Sequence, residues 1–187
     1  IASLYAAEFP EHVQALVLVA PAEVLLMPSE TGGLYESIAP LLPEEMRPGY
    51  DEYMQRYFDF GKLFTYDEAG LVALNEEFIP YYAAAAAAKG LSLPGGSSAS
   101  AGGWMVWGMY MSMGQRHDYR PALKNITAPA LVIHGSRDFQ PEQASREYAE
   151  LIPGAAFKVI ADSGHFPFNE KPEEFARAVS EFLSGLR

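Results

Sequence analysis

No cysteine occurs in the sequence. Disulfides, thiol nucleophiles and cysteine metal ligands are therefore excluded, while every redox compartment stays open. Basic residues are scarce, with 13 Lys and Arg against 24 Asp and Glu and a formal net charge of -11. That balance argues against nucleic acid or an anionic membrane as a partner and leaves small molecules, peptides and proteins. No apolar run approaches the roughly 18 residues needed to span a bilayer. An initiator Met and a signal peptide are also missing from the start. The chain opens as "IASLYAAEFPEHV", already inside an amphipathic pattern in which Ile1, Leu4, Tyr5 and Ala6 share a helical face and Pro10 ends it. A helix without a start signal leads us to expect a piece of a longer protein, or one chain of a cleaved one.

What is present is a globular composition. Hydrophobic residues make up 49% of the 187 and charged residues 20%, enough for one domain with a sizeable core. Three short runs read as buried parallel strands: "VQALVLVAP" (Val13 to Pro21), "APALVIHGS" (Ala128 to Ser136) and "AAFKVIADS" (Ala155 to Ser163). Between the second and third lies a helix signal, with Pro141 in its first turn and Ala144, Tyr148, Leu151 and Ile152 as its apolar stripe. After the third, Pro172 and acidic residues open another, with Phe175, Val179, Phe182 and Leu183 on its apolar face. Helices alternating with strands predict an α/β fold, a parallel sheet flanked by helices.

The middle, residues 22–120, differs. It is rich in Tyr, Met, Phe, Pro and Ala and has no useful strand alternation. "GYDEYMQRYFDFGKLF" and "DEAGLVALNEEFIPYYAAAAAAKG" read as helices, the alanine run being simply a good helix former. "LSLPGGSSASAGG" reads as a flexible linker, and the segment after it brings Trp104 and Trp107 together. We expect an all-helical insertion over 22–120, with 1–21 and 121–187 forming the α/β core.

Two residues stand where chemistry is expected. Asp138 follows the second strand in "HGSRDFQP" and His165 follows the third in "DSGHFPF". One helix and one strand separate them. In a parallel sheet both therefore emerge at the same carboxyl edge, where open α/β sheets bind ligands. A carboxylate there would fix the imidazole tautomer and leave the other nitrogen as a general base. The alternative reading has Asp138 capping the following helix and His165 as an ordinary turn residue.

The order strand, G-x-x-D, helix, strand, G-H, helix in "APALVIHGSRDFQP" and "FKVIADSGHFPFNEKPEEF" resembles the C-terminal part of an α/β-hydrolase. Together with "IASLYAAEFPEHVQALVLVAP" and the long helical insertion, the chain resembles most the proline iminopeptidase-like (S33 peptidase) branch. The resemblance implies a serine-type aminopeptidase or esterase, no cofactor, a helical cap over 22–120, and Asp138 and His165 as catalytic acid and base. It also implies that the first helix follows directly on the nucleophile elbow G-x-S-x-G, so that nucleophile and oxyanion hole precede Ile1. No serine here substitutes. Ser112 in "YMSMG" lacks the first glycine and a strand before it. The serines of "GGSSASAGG" are linker, Ser163 shares the turn of His165, and Ser3 is inside the first helix.

If the substrate carries a free amino group, the resemblance points to acidic cap residues, and Glu76 and Glu77 are candidates beside the alternative of a solvated helix face. Trp104 and Trp107 are candidates for the pocket lining, with core packing as the alternative. Phe139 and Phe166, next to Asp138 and His165, are candidate pocket walls. His134 reads as structural, His12 as surface, and His117 as a hydrogen-bonding joint where the insertion returns to the core. No pair has metal-ligand spacing. Two expectations stand together. One is the acid and base half of a hydrolase of small molecules or short peptides, inactive without its nucleophile. The other is a non-catalytic remnant held together by a homodimer contact or by the complementary N-terminal chain.

Overall fold

A computed structural model describes residues 1–30, 32–91 and 103–186. In chain order its elements are α1 (Ala2–Glu8), β1 (Leu16–Val19), β2 (Leu26–Met27), α2 (Leu34–Ile38), α3 (Arg47–Tyr57), α4 (Phe60–Leu63), α5 (Glu68–Glu76), α6 (Ile79–Ala88), α7 (Gly103–Met113), β3 (His117–Asp118), α8 (Arg120–Leu123), β4 (Ala130–Gly135), α9 (Glu142–Leu151), β5 (Ala156–Ile160), α10 (Pro167–Glu170) and α11 (Pro172–Ser184). The chain forms two compact units, one of Ile1–Ser37 with Gln115–Arg187 and one of Ile38–Gly114.

The first unit is built on a parallel sheet in the order β1-β4-β5. Leu16 to Val19 pair with Ala130 to Ile133, and Leu131 to Gly135 pair with Ala156 to Ile160. All six residues of the central strand β4 are buried, which is why "ALVIHG" is apolar almost throughout. Successive side chains go to opposite faces. Ala130 and Val132 join Ala6, Leu16, Leu18, Leu123, Ile126, Tyr148 and Ile152 on one side. Leu131 and Ile133 join Ile160, Val17, Phe175, Val179 and Phe182 on the other. The helical stripes expected from the sequence thus sit against the two faces of the sheet.

Three features depart from expectation. The strand β5 is a half-exposed edge, ending in buried Ile160, rather than a buried strand. Pro141 is the residue before α9, in extended conformation, and not inside its first turn. The 22–120 span, expected to be all helical, also holds the short strands β2 and β3, and the compact units divide at 37/38 and 114/115. Leu26 and Met27 pair antiparallel with Asp118 and His117. The Tyr119 N–H donates to the Leu25 carbonyl at 2.7 Å, and Leu25 belongs to the first unit's core.

The second unit is helical. Tyr50, Tyr53 and Tyr57 of α3 recur at three and four residues and are buried on one face. Leu71 and Leu74 of α5, Tyr82, Ala85 and Ala86 of α6, and Trp107 of α7 are also buried. Asp59 and Asp67 cap α4 and α5 by accepting the Lys62 and Gly70 amides. The start of α7 is fixed by Glu68, whose carboxylate accepts the Trp104 amide at 2.9 Å. Gly103 has φ +69° there, and a Cβ on it would lie 2.0 Å from Glu68 Oε1. The linker expected over 91–103 lies outside the described residues apart from its ends. Among the described residues no helix is long and apolar enough to cross a membrane.

Candidate active site

The two strand ends carry two adjoining turns. After β4 the chain closes a tight turn in which Asp138 N–H donates to Gly135 O at 3.0 Å. The Asp138 carboxylate then accepts Gln140 N–H at 2.9 Å, the local Asx geometry that aspartate adopts readily. After β5, Asp162 takes φ 52°, a left-handed conformation in which aspartate is among the tolerated residues, and His165 follows.

Backbone contacts join these turns. Ser136 N–H donates to Ile160 O at 2.9 Å and Arg137 N–H to Ser163 O at 2.8 Å. Asp162 N–H donates to Ser136 Oγ at 2.9 Å, and the Arg137 guanidinium pairs with the Asp162 carboxylate. The approach is so close that a Cβ on Gly135 would lie 2.0 Å from Gly164 O and 2.5 Å from Ser163 O. Only glycine fits there.

The result is a defined pair. His165 Nδ1 lies 3.1 Å and 3.0 Å from the two oxygens of Asp138. The Asp138 side chain is 0% exposed and the His165 side chain 24%. An ionised carboxylate only accepts hydrogen bonds, so Nδ1 carries the hydrogen and Nε2 is left with its lone pair. A ring held in this way can take a proton at Nε2, and the buried carboxylate stabilises the imidazolium that forms.

His134 is the second imidazole nearby. It is buried, with Nδ1 2.9 Å from Ser145 Oγ and 4.0 Å from Asp138 Oδ2. Burial pushes its pKa below the ordinary value near 6.5, and the Asp138 charge opposes this more weakly. It is a neutral, hydrogen-bonded core histidine. His117 Nε2 lies 2.9 Å from Val24 O and joins the two ends of the insertion. His12 is exposed, beside Tyr5 and Glu11.

The other candidates are placed as follows. Phe166 sets its ring edge-on to His165, with centroids 5.1 Å apart, and is partly exposed. Phe139 is buried and packs inside rather than forming an open wall. Glu76 ends α5 and is exposed. Glu77 is already answered by Arg56, whose guanidinium reaches its two oxygens at 3.2 Å and 2.5 Å. Trp107 is buried, its ring 4.7 Å from Tyr57 and 6.4 Å from Phe60, which is core packing. Trp104 is half-buried beside Phe64 at 5.9 Å. Three of the serines weighed in the sequence are among the described residues. Ser163 is fully buried, Ser112 Oγ donates to Met109 O at 2.7 Å, and Ser3 is buried in α1. Among the described residues the hydrogen-bonded partner of the His165 ring is Asp138. A cavity of about 540 Å³ lies elsewhere in the first unit, lined by Glu23, Leu26, Arg120, Lys124 and Glu147 among others, and neither His165 nor Asp138 borders it.

One residue at the site was not singled out in the sequence. Glu170 accepts Gly164 N–H at 2.5 Å and Phe166 N–H at 3.0 Å. A glutamate shortly after a helix-starting Pro167 was the available signal.

The profile of the alpha/beta hydrolase fold family matches residues 1–172. The proline iminopeptidase of Heyndrickxia coagulans is 33% identical over 69 residues, which is 37% of this chain and 24% of that protein. The pimeloyl-[acyl-carrier protein] methyl ester esterase of Nitrosomonas europaea is 26% identical over 177 residues, 94% of this chain and 64% of that protein. The crystal structure of VinJ superposes with a TM-score of 0.58 at 18% identity, covering 100% of this chain and 62% of VinJ. An alpha/beta fold family hydrolase from Bacillus anthracis gives 0.55 at 19%, covering 97% of this chain and 62% of that one. The matched regions thus span less than two thirds of each of these proteins.

Proposed function

The chain belongs to the alpha/beta hydrolase fold family, and on that premise we propose that it carries the acid and base of a serine-type hydrolase. The observation that carries this reading is the contact of His165 Nδ1 with both oxygens of the fully buried Asp138 carboxylate. Asp138 holds the ring with Nε2 facing outward. Nε2 removes the hydroxyl proton of a serine as its oxygen attacks an ester or amide carbonyl. The imidazolium then returns that proton to the departing alcohol or amine. A second passage, with water in place of serine, releases the acid. The nucleophile and oxyanion hole come from a segment preceding Ile1, and the 187-residue chain alone is inactive. The second unit serves as the cap that selects substrate.

The substrate is a small amide or ester, with an N-terminal prolyl residue the first choice in a proline iminopeptidase-like branch. Likeness to proline iminopeptidases and to methyl ester esterases supports the two alternatives. Proline p-nitroanilide and a short-chain p-nitrophenyl ester separate them. The protein extended through its upstream elbow should hydrolyse at least one, and residues 1–187 alone neither. Turnover by residues 1–187 alone, or none by the extended protein, would refute this reading.

A second reading is a non-catalytic form held by a copy of itself or by a complementary chain. It is favoured by β1, an apolar strand that is the last of its sheet among the described residues, and such an edge invites pairing. A 20.5 kDa monomer in solution, measured by light scattering, would exclude the self-associated form. Failure to bind the upstream segment would exclude the other.

A further inference from the structure

The geometry assigns Glu170 as the positioning residue for His165, a role that rests on the reading of His165 as the base. Its carboxylate spans the histidine. Oε2 takes the amide before it, Gly164 N–H at 2.5 Å, and Oε1 takes the amide after it, Phe166 N–H at 3.0 Å. Part of this is ordinary helix capping. Phe166 is the residue before α10 and offers no side-chain cap of its own, and Glu170, four residues on, reaches back to its N–H much as the N3 glutamate of a capping box does. The second contact exceeds that duty. It passes over His165 to a peptide outside the helix.

That peptide matters for the acid. Its carbonyl, Ser163 O, accepts Arg137 N–H at 2.8 Å, in the turn that presents Asp138. The 163–164 peptide is therefore held at both ends, by the acid's turn through its carbonyl and by Glu170 through its N–H. A continuous path runs from Arg137 N–H through that peptide to Glu170 and back to Phe166 N–H. His165 lies inside the loop so closed. Each bond in such a chain polarises the next, and the amide-to-carboxylate bonds are the stronger, charge-assisted kind. The helix α10 has only four residues and little stability of its own. Without the Glu170 carboxylate, the amides on either side of His165 lose their common acceptor, and the chain after it is held by the α10 bonds from Asn169 N–H and Glu170 N–H to Phe166 O at 2.8 and 3.0 Å. Glu170 touches no reacting atom; it acts through the backbone on either side of the imidazole.

The test is made on the extended protein labelled with ¹⁵N-histidine, following the His165 Nδ1–H proton, assigned by its loss in Asp138→Asn. In Glu170→Ala this proton should exchange with solvent about tenfold faster, as expected on losing charge-assisted bonds. Glu170→Gln keeps the shape but turns one acceptor into a donor facing an N–H. It should show a smaller effect of the same sign and lower kcat with KM little changed. Glu170→Gln also serves if Glu170→Ala does not fold. If both variants lower Tm but leave Nδ1–H exchange and kcat at wild-type values, Glu170 is only a helix cap and the assignment is overturned. The exchange readout does not need turnover. A protected Nδ1–H that Glu170 controls, in a protein that hydrolyses nothing, would sustain this assignment while refuting the proposed hydrolase.

Discussion

The two units of this chain are held together by different means. Around Asp138 and His165 most polar groups are matched, buried Gln140 Nε2 being an exception without a hydrogen-bond partner among the described residues. Ser136, Arg137, Ser145, Asp162, Ser163, Gly164 and Glu170 each meet a named partner at hydrogen-bond distance. The second unit is packed by rings. Tyr50, Tyr53, Tyr57, Phe60, Phe78 and Trp107 lie with centroids between 4.7 and 6.4 Å of a neighbour. Buried Tyr53 Oη and Trp107 Nε1 have no hydrogen-bond partner among the described residues. Matched polar groups define positions to fractions of an ångström and are costly to disturb. Ring packing fills volume and tolerates change of partner. The contrast separates a unit that holds His165 against Asp138 from one whose interior is filled chiefly by rings.

That contrast can be broken by substitution, the largest effect first. Asp138→Asn retains volume but puts an amide where His165 needs an acceptor. In the extended protein kcat should fall by about four orders of magnitude, with little change in the melting temperature. Gly135→Ala adds a methyl against two backbone carbonyls that cannot yield cheaply. Chemical denaturation should show a loss of about 3 kcal/mol or non-folding. A paired comparison then probes the two polar regimes. Ser145→Ala leaves the buried His134 ring without its hydroxyl and should cost about 1–3 kcal/mol. Tyr53→Phe removes an unpartnered buried hydroxyl and should be neutral or stabilising by up to about 1 kcal/mol. Equal costs for both would erase the distinction between the units.

The smallest effect is a pH dependence from His134. Its folded-state pKa is depressed by burial, so the unfolded chain binds more protons as pH falls through the ordinary value. Stability contributed by the neutral ring is present above that value and is lost as pH drops below about 6.5. His134→Gln should flatten that limb of the stability curve measured by urea titration at stepped pH. An unchanged slope would mean that His134 is not the titrating group.

Much of the first unit was legible because its signals are local. Apolar runs of four to six residues mark the parallel strands, and a residue just past a strand end has few places to go. Asp138 and His165 could therefore be brought to one sheet edge by topology alone. Less legible were features made by contacts distant in sequence or very short. The two-residue ribbon of β2 and β3 is too brief for alternation to register, so a span read as all helical contains it. Glu77 was a free acid in the sequence until the fold brought Arg56 of α3 against it. Trp107 looked equally apt for pocket and core, because helical spacing does not say which face a ring turns to. Glu170 makes its contacts with backbone amides, which leave no pattern of residue types to read.

The most direct test of the account is the rate at which a fluorophosphonate labels the extended protein, read by intact mass and peptide mapping. The account expects a single adduct on a serine N-terminal to Ile1, forming at least about a hundredfold more slowly in His165→Ala, as befits loss of the general base. An adduct on Ser112, Ser163 or another serine within residues 1–187, or labelling at an unchanged rate without His165, would contradict it.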